Sequence, residues 1–299
     1  MMAAVAPAMK PTDFPLPFRW NLHERSTVET MLRGEPAAAY AGFTDDLLSC
    51  CARILAQSHD ADLCFVGRSL DSVFDHLSGL LLDTSWRGRV QLLPLSLLRD
   101  PERALDTPER RGALRAYLLA QGMDPPELAR RERALALVDL VSTGATLGGV
   151  VEFLHGGCVE ARQDWSATAR KLRIVGMTCR TKTSPNTWRW AQHAAWVTRL
   201  APGAVKNVSV PLALYGYLGN DQPKLASSFH PERWGDPRVE SPEHGEPHLQ
   251  ALRLAASLFD LGREGTRREA FARELARQPA MKERWLRSLV VELRRGRGT

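Results

Sequence analysis

The sequence of 299 residues lacks long apolar runs. No segment approaches about 18 consecutive apolar residues, and the amino-terminal stretch MMAAVAPAMKPTDFP has no long apolar core behind a basic start, so we expect neither secretion nor membrane insertion. A cytoplasmic protein is therefore predicted. Cysteine is scarce too, because the chain has only five, with none in a CxxC spacing. Neither a disulfide framework nor a zinc site is predicted, and the thiols should be reduced and mostly buried.

Several catalytic signatures are also missing. The sequence contains no G-x-S-x-G, no G-x-x-x-x-G-K-[ST] and no H-E-x-x-H, which argues against the enzyme classes built on those motifs. The chain contains 44% hydrophobic and 25% charged residues, a composition typical of a soluble globular protein with an ample core. The net charge of +6 favours an anionic partner such as a phosphate-rich metabolite. The Arg-rich tail carries no aromatic-basic RNA-binding signature, so nucleic acid is not the expected partner.

Apolar patterns of helix and strand alternate through the first two thirds of the chain. The periodicity predicts helices over 42–58, 70–82, about 109–121 and 146–154, and strands over 62–67, 89–96, 134–141, 171–179 and 194–200. Strands that alternate with helices predict an α/β fold with a doubly wound, mostly parallel sheet.

Composition divides the chain into four predicted parts. These are an N-terminal arm over 1–40, an α/β core over 41–206, an irregular hood or loop region over 207–248, and a helical C-terminal extension over 249–299. The amphipathic helices of the extension are expected to pack on the sheet or on a partner chain, which leaves a homodimer open.

A dense polar motif, D-L-V-S-T-G-A-T, follows the third predicted strand. A parallel strand would deliver Asp139 to its carboxyl end, where open α/β sheets bind ligands. The chain then turns into the N-terminus of a helix, where free N–H groups and the helix dipole favour an anion, and Gly144 lets the backbone approach closely. The predicted phosphate loop consists of Ser142, Thr143, Gly144, Ala145 and Thr146. A ligand whose phosphate occupied this loop could place the vicinal hydroxyls of a ribose against Asp139.

The segment L-V-D-L-V-S-T-G-A-T-L resembles the phosphoribosyl-diphosphate loop of type I phosphoribosyltransferases. The match covers the apolar strand, the second acid, the apolar pair, the hydroxyl pair and the glycine, whereas Val138 stands where the family has a first carboxylate. The resemblance implies the type I fold and an enzyme, a pentosyltransferase with Asp139 as its catalytic residue. Its reaction would move ribose 5-phosphate from phosphoribosyl diphosphate to a nucleobase-like small-molecule acceptor and release pyrophosphate. Mg²⁺ would be bound through the diphosphate of the substrate, with no metal site among the protein's own side chains.

The same resemblance implies roles outside the loop. In the family the first strand ends in a turn that touches pyrophosphate, and V-G-R-S places Gly67, Arg68 and Ser69 there. The excursion 97–133 occupies the interval of the family's mobile loop. Its candidates to cover the pyrophosphate are Arg99, Arg103, Arg110 and Arg111.

The acceptor would sit under a hood to which residues 207–235 contribute. Three tryptophans could offer a stacking surface for a base, although core packing is their more frequent role: Trp188, Trp190 and Trp196.

Two alternatives stay open. The valine at 138 favours a non-catalytic regulator that senses phosphoribosyl diphosphate or a ribonucleotide on the same fold. The loop is also similar to the signature of ATP phosphoribosyltransferase, an enzyme of unrelated fold. That signature requires a glycine seven residues before the aspartate, where Glu132 stands, so it ranks second.

Overall fold

The computed structural model describes residues 14–24, 26, 28–98, 100–180 and 190–295. Its five strands are β1 (Asp62–Val66), β2 (Val90–Leu93), β3 (Leu135–Leu140), β4 (Leu172–Cys179) and β5 (Val205–Val210). They form one sheet in the order β2-β1-β3-β4-β5, and every neighbouring pair is parallel. The predicted α/β class with a parallel sheet is thereby confirmed.

Helices cover both faces of this sheet. Their bounds are α1 Phe43–Gln57, α2 Asp71–Leu80, α3 Pro101–Ala104, α4 Pro108–Ala120, α5 Pro125–Arg130, α6 Ala145–Glu160, α7 Trp165–Lys171, α8 Leu212–Gly216, α9 Glu246–Arg263, α10 Gly265–Ala276 and α11 Arg284–Arg295. Successive side chains of a strand point to opposite faces, and β1 illustrates the result. Leu63 and Phe65 join the apolar core formed with α1 and α2, whereas Cys64 and Val66 join the core formed with α4 and α6. Burial on both faces explains why the strands are almost continuously apolar.

The position of the fifth strand differs from the prediction. β5 spans Val205–Val210, whereas the predicted strand 194–200 contains a 3₁₀ helix over Ala195–Arg199. This segment packs on α6 instead of pairing with a strand. The Trp196 ring lies so close to Gly148 of α6 that a Cβ there would be only 2.4 Å from the indole nitrogen. The apolar residues of 194–200 pack against α6, and the prediction of a strand there was wrong. The predicted core boundary at 206 falls inside β5.

The three C-terminal helices belong to the main core. Phe271 of α10 and Leu289 of α11 are buried in the same cluster as the residues of α1 and α2. α9 crosses α2 so closely that a Cβ at Gly79 would lie 2.1 Å from the carbonyl oxygen of Phe259. The predicted extension is therefore helical, as expected, but it covers one face of the sheet as an integral layer.

The N-terminal segment is also tied to the core. The guanidinium of Arg19 lies 2.5 Å from a carboxylate oxygen of Asp75 and 3.4 Å from one of Asp71, both on α2. Both carboxyls are buried. Within the described ranges, none of the helices combines the length and the apolar character that a membrane crossing requires.

Candidate functional site

A cavity of about 830 Å³ opens at the carboxyl ends of β1, β2 and β3. β1 lies between β2 and β3 in the sheet, so the connections on its two sides run in opposite directions and leave a crevice where open α/β sheets bind ligands. Its volume is in the range typical of small-molecule sites. The sheet topology thus places a pocket where the sequence motif ends.

One long segment, residues 212–229, runs over the sheet from β5 towards β2 and is called the strap below. Its first part contacts β3, since the Tyr215 hydroxyl donates to the carbonyl of Val141 at 3.1 Å. Its last part reaches the turn after β2, where the N–H of Ser96 donates to the carbonyl of Phe229 at 2.9 Å. The cavity lies between this strap and the loop that opens α6. The strap contributes Tyr215, Gly219, Asn220, Lys224, Ser228 and Phe229 to its lining.

All five residues of the predicted phosphate loop line the cavity. Gly144 precedes α6 with a φ of 80°, a left-handed conformation that favours glycine. Among the described residues no side chain caps this helix, and its first turn holds no acidic residue. The first residues of α6 line the cavity, so the positive end of the helix dipole lies at the pocket. Ser142 and Thr143 are exposed on the cavity side. The loop can accept an anion.

Asp139 lines the same cavity at the end of β3. Its Oδ1 accepts a hydrogen bond of 2.7 Å from the N–H of Leu140. Burial nevertheless raises the pKa of the Asp139 carboxyl to about 8, because no charged partner among the described residues offsets the loss of water. A carboxyl group in this condition is suited to exchange hydrogen bonds with ligand hydroxyls.

The predicted pyrophosphate turn, Gly67–Ser69, forms the middle of the cavity wall. Gly67 has a φ of 74°, and its N–H donates to the carbonyl of Leu93 at 2.9 Å, which anchors the turn to β2. The Arg68 side chain donates to the carbonyl of Ala226 on the strap at 2.8 Å. Burial lowers the pKa of this guanidinium, while Asp71 partly restores it. The structure therefore brings the turn and the loop of α6 to one pocket.

Sequence reasoning missed a second cation, Lys224. Its ammonium donates to the carbonyl of Leu218 at 2.9 Å, and it lines the cavity from the strap. Burial lowers the pKa of Lys224 to about 8, and attraction to Asp71 opposes the effect. The surrounding sequence, GNDQPK, is ordinary turn composition, and only the path of the strap brings this residue to the pocket.

The excursion 97–133 contributes Leu98 to the cavity lining. It folds into α3, α4 and α5, and α4 buries Leu114 and Tyr117 against the sheet. Arg110 pairs with Asp106 at 2.9 Å, and Arg111 donates to the carbonyl of Leu105 at 2.7 Å. Three of the predicted arginines, Arg103, Arg110 and Arg111, are absent from the cavity lining, and Arg99 lies outside the described residues.

Two of the predicted tryptophans are packing residues. Trp190 is 2% exposed, and its indole nitrogen donates to Asn207 at 3.1 Å. Its ring lies against that of Trp196, with centroids 5.7 Å apart. Trp190 also supports the phosphate loop from behind, because a Cβ at Gly144 would lie 2.8 Å from its ring. Neither ring lines the cavity, and Trp188 falls outside the described residues.

The pocket thus combines a helix N-terminus, two cations and one carboxyl group that has no charged partner in the part of the chain that the structure describes. Among the described residues, no group of three or more His, Cys, Asp or Glu side chains is placed to hold a metal ion. Comparisons with protein-family models, with curated proteins and with solved structures give no match to this chain.

Proposed function

We propose that the chain binds phosphoribosyl diphosphate in this cavity and transfers its ribose 5-phosphate to a small acceptor, with release of pyrophosphate. The observation that carries the proposal is the placement of Asp139 and the loop 142–146 at one end of the pocket, with the Gly67–Ser69 turn beside them. On this proposal the fold is that of the type I phosphoribosyltransferases, and the acceptor is nucleobase-like.

Each part of the substrate has a matching group in the pocket. The 5-phosphate would lie at the N-terminus of α6, where backbone N–H groups and the dipole favour a dianion. Asp139 would hold the ribose hydroxyls, and Arg68 with its turn would face the diphosphate. Bond breakage at the anomeric carbon develops positive charge on the sugar and negative charge on the leaving group, so fixed positions and electrostatics supply the catalysis.

We propose that Mg²⁺ enters with the diphosphate oxygens of the substrate. The described residues supply no ready cage of three acidic, histidine or cysteine ligands, whereas a diphosphate brings its own oxygen ligands. When bound, the ion would neutralise charge on the departing pyrophosphate. Arg68 and the helix N-terminus would orient the two anionic ends of the substrate so that the sugar lies between them.

One observation favours a second candidate, a non-catalytic sensor of phosphoribosyl diphosphate or a ribonucleotide. Val138 is fully buried, and it packs on the α1 and α2 side of the sheet. The pocket therefore has one carboxyl group on β3 where two would strengthen the grip on the ribose. A sensor needs the binding energy of the loop but not the additional stabilisation of a transition state.

Both candidates are tested by one set of measurements. The protein is incubated with phosphoribosyl diphosphate, Mg²⁺ and a panel of nucleobases, and pyrophosphate release is followed beside the shift in melting temperature. Release with one acceptor supports the enzyme, whereas a raised melting temperature with no release for any acceptor supports the sensor. Asp139→Asn should abolish either signal, and Asp106→Asn, on the exposed surface of the excursion, should preserve it. No melting shift and no release from the wild type would refute the proposed function.

A further inference from the structure

The strap is locked to the Gly67–Ser69 turn by a buried amide. Gln222 is 3% exposed, and its side-chain nitrogen donates to the carbonyls of Ser69 at 2.8 Å and Leu218 at 3.0 Å. Its side-chain oxygen accepts from the Ser72 hydroxyl at 2.7 Å. Strap and turn therefore form one hydrogen-bonded unit at this point, and whatever follows Gln222 has a fixed position relative to the turn.

Lys224 is two residues further along this unit. Its ammonium lies 2.9 Å from the carbonyl oxygen of Leu218 and 3.4 Å from that of Arg68. An ammonium group has three donors, and two carbonyls leave one for the cavity that Lys224 lines. The lysine is thus held beside the turn with a donor to spare.

The charges around Lys224 leave room for an anion. Asp71 of α2 is the acidic group that attracts it, and Arg68 of the turn repels it. The Asp71 carboxylate is shared with Arg19, which lies 3.4 Å away and also binds Asp75. On the other side of the strap, a ring nitrogen of His248 contacts the carbonyl of Lys224. Arg68 is also attracted to Glu243, which in turn pairs with Arg233 at 3.1 Å. The four cations Arg19, Arg68, Lys224 and Arg233 thus face the three carboxyls Asp71, Asp75 and Glu243, which leaves an excess of positive charge beside the pocket.

We propose that Lys224 binds the diphosphate of phosphoribosyl diphosphate together with the Gly67–Ser69 turn, and thereby selects sugar phosphates that carry a diphosphate. This inference rests on the proposed function. The strap then has a chemical role beyond covering the sheet. A ligand with only a 5-phosphate would reach the α6 loop but not Lys224, so ribose 5-phosphate and ribonucleoside monophosphates would not gain from this contact.

The ionisation of Lys224 provides a second way to test its contact with the diphosphate. Burial lowers its pKa to about 8, so the cation is present below that pH and is lost above it. Affinity for a diphosphate should therefore fall as the pH rises through 8, apart from any change shared by all ligands. Arg68 stays charged over this range and cannot produce the change. Asp139, in the same cavity, also has a pKa of about 8, so the signature of Lys224 is the fall in affinity of the diphosphates relative to ribose 5-phosphate.

The test compares three probes: phosphoribosyl diphosphate with Mg²⁺, pyrophosphate with Mg²⁺, and ribose 5-phosphate. Their affinities are measured by calorimetry at pH 7 and pH 9 for wild type, Lys224→Met and Lys224→Gln, where glutamine can keep a hydrogen bond to the neighbouring carbonyls without the charge. Lys206→Met on β5 is the matched control for the loss of one positive charge, because Lys206 lies near the amino end of its strand and away from the cavity lining.

We expect both Lys224 variants to bind the two diphosphate probes roughly 10- to 100-fold more weakly at pH 7, as for the loss of one charge-assisted hydrogen bond. Ribose 5-phosphate affinity at pH 7 should be unchanged by either substitution. In the variants, the affinity of the diphosphate probes should no longer fall more than that of ribose 5-phosphate between pH 7 and pH 9, because the titration of Asp139 remains for all ligands. Unchanged affinity for phosphoribosyl diphosphate in the Lys224 variants, or an equal loss for all three probes, would overturn this inference alone. Absence of binding by the wild-type protein to all three probes would instead refute the proposed function itself.

Discussion

The most informative perturbation is Asp139→Asn, because it should stabilise the fold while it weakens ligand binding. The carboxyl has a pKa of about 8 in the fold, raised by burial from its ordinary value of 3.8. Between these two values the folded state holds a proton that the unfolded chain has released. Stability from this group is therefore fully present below about pH 4 and is lost as the pH rises to about 8.

The size of the effect follows from this pKa difference. At 1.36 kcal/mol for each pH unit, the full difference corresponds to about 6 kcal/mol, and water in the cavity screens part of it, so we expect roughly 2 to 4 kcal/mol. Asparagine can still accept the hydrogen bond from the N–H of Leu140 through its side-chain oxygen. The variant should consequently unfold much like the wild type near pH 4 and become the more stable of the two as the pH rises to 9.

The assay is urea unfolding of wild type and Asp139→Asn between pH 4 and pH 9, with the difference in unfolding free energy plotted against pH. Taking the difference removes the titration of other groups, such as Asp75, whose pKa is also raised by burial, to about 6. Asp106→Asn, at an exposed site paired with Arg110, should give a nearly flat difference. A flat difference for Asp139→Asn as well would refute the view that this carboxyl is desolvated without a charged partner.

Two further predictions use glycines with matched controls. Gly144 and Gly88 both have a φ near 80°, so alanine should strain the backbone equally at the two positions. A Cβ at Gly144 would in addition lie 2.8 Å from the Trp190 ring, so Gly144→Ala should lower the unfolding free energy by roughly 1 to 3 kcal/mol more than Gly88→Ala. Equal losses in urea unfolding would mean that the ring does not restrict the loop. Gly79→Ala should cost about 3 kcal/mol or more, since its Cβ would meet the α9 backbone at 2.1 Å. A Cβ at Gly112 in α4 would meet no described atom within 4 Å outside its own helix backbone and chain neighbours, so Gly112→Ala should be neutral or stabilising by about 0.5 to 1 kcal/mol. If Gly79→Ala had the same melting temperature as the wild-type protein, this result would contradict the close crossing of α2 and α9.

The polar motif after β3 could be placed from the sequence because its signals are local. An apolar run ends in one acid, and small hydroxylated residues with a glycine lead into a helical pattern. A parallel strand that enters a helix in this way must put the acid and the turn at the carboxyl edge of the sheet. The loop 142–146 and Asp139 were placed by this reasoning, and the Gly67–Ser69 turn was placed by the resemblance to type I phosphoribosyltransferases; all of them line one cavity.

The failures concern short apolar runs and contacts between distant parts of the chain. Residues 194–200 and 205–210 are both short segments with apolar residues, and only the second pairs with β4, because the first is occupied by the packing of Trp196 on α6. Periodicity cannot separate these cases, since either segment is too short to carry a distinct repeat.

The sequence by itself determined the α/β layering, most strand and helix positions, and the place of the loop 142–146 between β3 and α6, because local pattern and backbone preference fix these features. The tertiary structure alone decided that Lys224 reaches the pocket, that Trp190 supports the loop from behind, and that the C-terminal helices cover one face of the sheet. These outcomes depend on where residues far apart in the chain meet, and that is set by the joint packing of both faces of the sheet.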